Sequence, residues 1–443
     1  MRLLYEFVFT CFFILTAPFY FLKMWRRGNW QTGFGQRFGR FGPRIKSAIT
    51  NRHVLWIHAV SVGEVNIATQ LIRVLETRVP NLKILVSTTT STGMGELQRK
   101  LPSHVEKIYY PIDRRRYADR ALRVLNPEVF VLVESEIWPN FIWRAAARGV
   151  PLFLVNARLS DRSYRGYKLA SFLFRPIFAS FTGVGAQNEH DAKRLIELGC
   201  RAESLHVVGS LKFDAARIDE RPTVEIQALL RQIGVQPDSL IIVGGSTHAG
   251  EEALLARIYR RLQARFPQLF LVLVPRHFER GNEVGAELKQ AGVRFAYRTE
   301  ISPQTRFEPG EVECLLVNTT GELRYFYEEA AVIFVGKSLS AEGGQNPIEP
   351  AALGKAVIFG PNMQNFRAIA EEFVRNEAAI QVQSQEELET ALARLLGDPQ
   401  ARTDLGQHAL QVVRKNRGAI DRTVDMIVKH LKGGEVYLAP DVP

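Results

Sequence analysis

Three short segments combine carboxylates or a lysine with glycine, proline or tryptophan in ways that a packed core does not require. In His58-Ala59-Val60-Ser61-Val62-Gly63-Glu64 an apolar run ends, Gly63 permits a tight turn, and Glu64 falls in the first turn of the next helix. A carboxylate there is either a partner of the helix dipole or a general base for an attacking hydroxyl. In Glu134-Ser135-Glu136-Ile137-Trp138-Pro139-Asn140 two carboxylates stand at i and i+2 before Trp-Pro. Ser135 or Glu136 as a helix cap would still leave Glu134 unexplained. In Gly209-Ser210-Leu211-Lys212-Phe213-Asp214, Lys212 has two open readings, a cation for an anionic ligand or a salt bridge to Asp214.

The second half of the chain carries anion-binding features instead. Gly244–Glu252 closes an apolar run and opens a helix, where free backbone amides bind anions. The plainer reading there is a cap by Ser246 or Thr247 with Glu251 in the first turn. Val274-Pro275-Arg276-His277 ends the next run with a cation suited to a phosphate. His248 and His277 lack metal-ligand spacing. In Glu342-Gly343-Gly344-Gln345-Asn346-Pro347-Ile348-Glu349-Pro350-Ala351, two glycines allow close backbone approach. Asn346 caps a helix with Pro347 at its first position, which aims amides at a phosphate. Glu349 then lies one turn in, where it accepts from ribose hydroxyls. With Thr319-Thr320-Gly321-Glu322-Leu323, these pieces describe a nucleotide pocket.

The elements that hold these segments are short apolar runs alternating with helices. Strands are predicted over 54–60, 83–90, 105–112, 129–134, 151–156, 184–187 and 206–208. A second series covers 240–244, 269–274, 294–297, 313–317, 332–335, 356–359 and 379–382. Continuous β-branched runs with helical crossovers mean parallel sheets covered on both faces. The fold class is α/β, with two doubly wound Rossmann-type domains facing a cleft, joined near 215–238. A last helix over 404–431 is long enough to cross back. No G-x-G-x-x-G follows a strand and no G-x-x-x-x-G-K-[ST] is present, which disfavours a dinucleotide cofactor and excludes a P-loop.

At 443 residues, 46% hydrophobic and 23% charged, the chain has the size of two or three folded domains, and disorder, collagen and coiled coil are excluded. Three scattered cysteines, Cys11, Cys200 and Cys314, give neither a disulfide framework nor a thiolate zinc site and suit a reducing compartment. Much of the net charge of +11 is terminal: residues 1–50 hold eight basic side chains against Glu6 alone. That distribution argues against a nucleic-acid groove. Residues 1–24 read as a membrane anchor, apolar and aromatic, followed by Lys23, Arg26 and Arg27 with Tyr20, Trp25 and Trp30 nearby. A cleaved signal peptide would carry its charges before the apolar run. The positive-inside rule then leaves the remainder cytoplasmic. Phe34, Phe38 and Phe41, interleaved with Arg37 and Arg40, either insert among lipid headgroups or tuck onto the domain.

The segments WIHAVSVGE (56–64), ESEIWPN (134–140), GSLKFD (209–214), GSTHAGEE (245–252), LVPRH (273–277), GELRYFY (321–327) and GGQNPIEPA (343–351) resemble, in order and over nearly the whole chain, the 3-deoxy-D-manno-octulosonic acid (Kdo) transferases. The resemblance implies a GT-B fold and an inverting transfer of Kdo from CMP-Kdo to the lipid A precursor, in lipopolysaccharide biosynthesis of Gram-negative bacteria. It implies no bound metal and no cofactor. By motif, Glu64 corresponds to the family's proton acceptor, and Glu134 and Lys212 to its transition-state stabilisers. Pro275 and Arg276, Gly321, Glu322 and Leu323, and Asn346, Pro347, Ile348 and Glu349 correspond to its CMP-contacting segments. The implied layout is an anchor at 1–24, an acceptor domain at 25–215, a CMP-sugar domain at 216–403 and the returning helix at 404–431. The implied location is the cytoplasmic face of the inner membrane, whose lipids are partners. Another sugar-nucleotide enzyme of this fold, a hexosaminyl transferase or an epimerase, is the alternative. A membrane-tethered nucleotide-binding adaptor is the rival from a different class, and it would not need three acids or bases at strand ends.

Overall fold

The computed structural model describes residues 2–26, 31–50, 52–134, 136–214 and 225–431. Each of the fourteen predicted apolar runs carries a strand, because runs of this kind bury both faces only inside a covered parallel sheet. By internal contacts the chain forms two units, 1–215 with 417–443, and 216–416.

In the first unit the strands are β1 (Val54–His58), β2 (Lys83–Thr88), β3 (Glu106–Tyr109), β4 (Val129–Val133), β5 (Leu152–Ala157), β6 (Gly183–Ala186) and β7 (Leu205–Val207). They form one parallel sheet in the order β3-β2-β1-β4-β5-β6-β7. Leu55 pairs with Ile84 on one side and Val129 on the other, so the winding reverses between β1 and β4. One face buries Trp56, Phe130 and Phe141; the other buries Leu71, Val131 and Phe153. Open α/β sheets bind ligands beyond the carboxyl ends of the strands at such a reversal.

In the second unit the strands are β8 (Leu240–Thr247), β9 (Leu269–Pro275), β10 (Phe295–Tyr297), β11 (Cys314–Leu316), β12 (Val332–Val335), β13 (Ala356–Phe359) and β14 (Ile380–Gln381). Their order is β10-β11-β9-β8-β12-β13-β14, again parallel, with the reversal between β8 and β12.

The helix predicted over 404–431 is two helices, Pro399–Asn416 and Ala419–Val428, separated at Gly418, which takes φ 86°. Asp214 accepts hydrogen bonds from the amides of Gly418 and Ile420 and so caps the second of them. In the joining segment, residues 215–224 lie outside the described residues, and a helix, Ile226–Gln232, follows.

A spanning form of the anchor read at residues 1–24 is not supported. Arg2–Arg26 is helical, but among the described residues no helix is long and apolar enough to cross a membrane. Near its start Tyr5 and Glu6 tie it to the first unit. Phe7, Val8, Phe12, Leu15, Phe19 and Leu22 are exposed. Of the two readings of the aromatic collar, the packing favours the one in which it tucks onto the domain. Phe34–Phe38 is a 3-10 turn, Phe38 meets the Tyr117 ring edge-on, Arg37 lies 3.6 Å over the Tyr109 ring, and Phe41 is buried. Arg27 and Trp30 lie outside the described residues.

Candidate active site

The helix Val62–Arg78 starts directly after β1, with Ser61 as its cap accepting from the Glu64 amide at 3.2 Å. The Glu64 carboxylate turns back to accept from the Val60 amide at 2.8 Å, which fixes its direction beside the end of β1. Burial first, and then the charges of Glu134 and Glu136, raise this carboxyl to about 7 against the downward pull of the Val60 amide. A carboxylate held near neutral pH is suited to taking a proton from a hydroxyl.

Glu134 stands at the end of β4 in a left-handed conformation, φ 65°. A non-glycine residue held there stores strain, a feature that clusters at functional sites. Its amide donates to Val155, and Asn156 Nδ2 reaches its carboxylate at 3.3 Å. Lys212 Nζ lies 3.7 Å from the same carboxylate oxygen. Burial lowers the Lys212 ammonium, and the Glu134 and Glu64 carboxylates raise it. Of the two readings of Lys212 the salt bridge to Asp214 fails, since Asp214 is engaged with the amides at 418 and 420. Glu136 accepts from Trp138 Nε1 at 3.2 Å and faces His58 Nε2 at 3.6 Å. Ser135, the other candidate cap, lies outside the described residues. The first unit thus gathers Glu64, Glu134 and Lys212 around one strand reversal.

Asn156 is the residue that sequence reasoning missed here. It takes φ 53°, holds Glu134 by its amide nitrogen and accepts from the Leu211 amide at 3.0 Å. One side chain therefore couples the two segments that carry Glu134 and Lys212. Its only sequence signal is an asparagine at the end of an apolar strand, where a side chain amide needs a partner.

In the second unit the Gly244–Glu252 segment has Glu251 in the first helical turn, as the plainer reading expected, but not the cap at Ser246 or Thr247. The helix Glu251–Gln263 has Gly250 at its cap position, with no side-chain cap. The buried Glu251 carboxylate accepts from the amides of His248, Lys337, Ser338 and Leu339 at 2.8–3.1 Å. Those amides hold the chain's own carboxylate, not a ligand. Arg276 leaves the end of β9 with its amide on Thr247 and its side chain exposed. The His248 and His277 rings stand 5.8 Å apart, edge to face. Among the described residues no group of three or more His, Cys, Asp or Glu could hold a metal ion.

Gly343 and Gly344 both take left-handed angles, φ 122° and 69°. A Cβ at Gly343 would come 3.3 Å from Lys337 Nζ, so this amine lies directly over the glycine turn. Lys337 follows β12, at the strand reversal, and went unread because nothing around it in the sequence marks it. The Asn346 oxygen accepts from the Ile348 amide and its Nδ2 donates to Glu349, both at 3.0 Å. The helix it opens, Ile348–Ala352, has only five residues and begins one residue later than predicted. The expectation of free amides at this start is corrected at Ile348, whose amide Asn346 occupies. Glu322 is held by Arg298 at 2.8 Å and by Thr319, at the start of the helix Leu323–Glu329. That helix carries Tyr327, whose hydroxyl occupies the space a Cβ at Gly245 would need.

The chain is 31% identical over 437 residues to the 3-deoxy-D-manno-octulosonic acid transferase of Haemophilus influenzae, covering 97% of this chain and 99% of that protein. It is 34% identical to the enzyme of the same description from Bordetella pertussis, covering 93% and 96%. It belongs to the Kdo transferase family. The family description "3-Deoxy-D-manno-octulosonic-acid transferase (kdotransferase)" matches residues 32–215, the segment that carries Glu64, Glu134 and Lys212. Among solved structures, a UDP-GlcNAc 2-epimerase from Neisseria meningitidis aligns with TM-score 0.58 at 14% identity, over 85% of this chain and all of that one. A glycosyltransferase from Rickettsia africae aligns with TM-score 0.57 at 12% identity, over 87% and 100%. These likenesses show the fold alone, two parallel-sheet α/β domains of GT-B type. They do not revive the epimerase alternative against the full-length similarity to Kdo transferases.

Proposed function

We infer that the protein is a glycosyltransferase that moves Kdo from CMP-Kdo to the lipid A precursor, with Glu64 as general base. The observation that carries this reading is the Glu64 carboxyl, raised to about 7 and set with Glu134 and Lys212 at the reversal of the first sheet, in a chain of this family. The acceptor's hydroxyl oxygen forms the bond to C2 of Kdo, and Glu64 takes its proton. The bond from C2 to the CMP phosphate oxygen breaks with its electron pair, and CMP leaves as a phosphate monoester. Inversion follows from this single displacement, which needs no covalent nucleophile on the enzyme.

Positive charge builds at C2 as the leaving group departs, and the Glu134 carboxylate supplies the complementary charge. Lys212 holds Glu134 in place and offers a cation to the sugar's own carboxylate. On the donor side Arg276 and Lys337 meet the phosphate. Pro275, Gly321–Leu323 and Asn346–Ile348 line the nucleotide, with Glu349 for the ribose hydroxyls. Preorganised donors of this kind contribute about 3–4 kcal/mol each to a charged transition state.

The same reading places the enzyme at the cytoplasmic face of the inner membrane, where an acylated acceptor resides. The exposed Phe7, Phe12, Leu15 and Phe19 support a helix that lies in the lipid interface. The test is full-length enzyme with CMP-Kdo and lipid A precursor, products resolved by mass. One or more added Kdo residues, lost in Glu64→Gln, are expected. Turnover of a UDP-sugar with none of CMP-Kdo would overturn the assignment.

A further inference from the structure

Glu134 and Glu136 lie on a short connection that leaves β4 at Val133 and ends where the helix Pro139–Ala147 begins. Glu134 is strained at φ 65°, so its place depends on both ends of that connection being held. The β4 end is held by the sheet. The other end is the start of a helix with no side-chain cap of its own.

Its cap comes from elsewhere in the chain. The buried Asp113 carboxylate accepts from the Asn140 amide at 3.0 Å and the Phe141 amide at 2.8 Å, the bonds that an N-terminal cap would supply. Asn140 Nδ2 donates to the Asp113 carbonyl at 2.7 Å. The N-terminal helix completes this arrangement with two polar side chains. Tyr5 donates its hydroxyl to Asp113 at 2.8 Å, and Glu6 accepts from Asn140 Nδ2 at 2.6 Å and from the Arg115 amide at 3.2 Å. Aromatic contacts run alongside. The Tyr5 ring meets Trp143 edge-on at 5.7 Å, and Phe9 meets Trp138 at 6.4 Å. Trp138 is the residue whose indole N–H holds Glu136.

An apolar helix that served for attachment alone would have no use for a carboxylate near its start. Glu6 is the only acidic residue among the first fifty, and it is spent on the cap behind the catalytic connection. We propose that the N-terminal helix is a positioning element of the active site: Tyr5 and Glu6 lock the Asp113–Asn140 cap and thereby hold Glu134 and Glu136 in register with Glu64. The proposal rests on the assignment of Glu64 and Glu134 given above. Tyr5 and Glu6 are positioning residues and touch no substrate.

The test uses full-length protein and a detergent-dispersed acceptor, so that membrane attachment does not enter the rate. Tyr5→Phe combined with Glu6→Ala is expected to lower kcat about tenfold, with KM for CMP-Kdo and acceptor unchanged. CMP affinity, read on the second unit, and vesicle binding should also stay unchanged. Glu6→Gln, which keeps an acceptor for Asn140, should restore most of the rate in the single-site comparison with Glu6→Ala. Thermal midpoints show whether the variants are folded at the assay temperature. Full kcat in the double variant overturns the proposal, as does a loss seen only with acceptor in vesicles, or one that tracks the folded fraction. Glu134→Gln is measured in parallel. If it is inactive while the double variant is fully active, the proposal alone fails. If it is fully active, the reading of the connection fails, and the proposal with it.

Discussion

Lys212 Nζ faces the Glu134 carboxylate at 3.7 Å, whereas Asp214, two residues further on, turns to the amides of Gly418 and Ile420. One short segment therefore divides its charges between chemistry and structure. Burial disfavours the Lys212 charge, and a half-buried ion pair contributes little net stability. Lys212→Met should lower kcat by at least about a hundredfold while leaving the thermal midpoint unchanged or slightly raised. A large drop in midpoint would make Lys212 structural.

Asp214→Ala should act in the opposite sense. Loss of a helix cap costs about 1–2 kcal/mol, and a unit the size of the first one loses about 2–4 °C per kcal/mol. The expected result is a lower midpoint by calorimetry with CMP affinity retained.

Folding raises the Glu64 carboxyl from its ordinary 4.5 to about 7. As a base it works deprotonated, so kcat/KM should climb about tenfold per pH unit below 7 and level off above it. The stability effect has a definite sign. The folded state holds the proton more tightly than the unfolded chain, so stability falls as pH rises from 4.5 to about 7 and then stays level. Glu64→Gln removes that penalty. At pH 8 the variant should be more stable than wild type by about 1–3 kcal/mol, and at pH 4 the difference should vanish. Denaturant titrations at both pH values, beside a turnover assay showing an inactive variant, check both halves.

Lys337→Ala should weaken CMP binding about tenfold and flatten its dependence on salt, since one cation is withdrawn from the phosphate. Calorimetric titration with CMP and with cytidine separates the effects. Equal losses for both ligands would place Lys337 away from the phosphate.

Phe12→Asp with Leu15→Asp should abolish sedimentation with anionic vesicles and leave turnover in detergent intact. Both side chains are exposed on the N-terminal helix, and neither is part of the Tyr5–Glu6 contacts. Unaltered vesicle binding would move the lipid contact elsewhere.

The strands were legible because a buried parallel strand writes itself as an unbroken apolar run, as Val54–His58 and Val129–Val133 do. Glu64 and Glu134 could be read from the ends of those runs, since a strand end is where a polar cluster costs least and serves a ligand. Asn156 and Lys337 were not legible. Asn156 acts through Leu211, far off in the chain, and Lys337 is turned over Gly343 by a local fold of the chain that no residue pattern records. Tyr5 and Glu6 were hidden for a further reason. Inside a hydrophobic segment they look like tolerated exceptions, and only Asp113 and Asn140, more than a hundred residues away, reveal their use. The aromatic collar had two readings in sequence, and burial of Phe41 with Arg37 over the Tyr109 ring favours the one in which it tucks onto the domain.

The helix Ala419–Val428 buries Ala419, Ile420, Val424, Met426 and Ile427 against the first sheet's core. The layer that covers β6 and the helix Val62–Arg78 is thus encoded after the whole of the second unit. A ribosome making this chain completes residues 216–416 before it delivers that covering helix. The first unit, begun earliest, must wait exposed and is finished last, while the second can close as soon as it emerges. A stop codon near residue 415 would therefore damage not the unit it truncates in sequence but the one translated first.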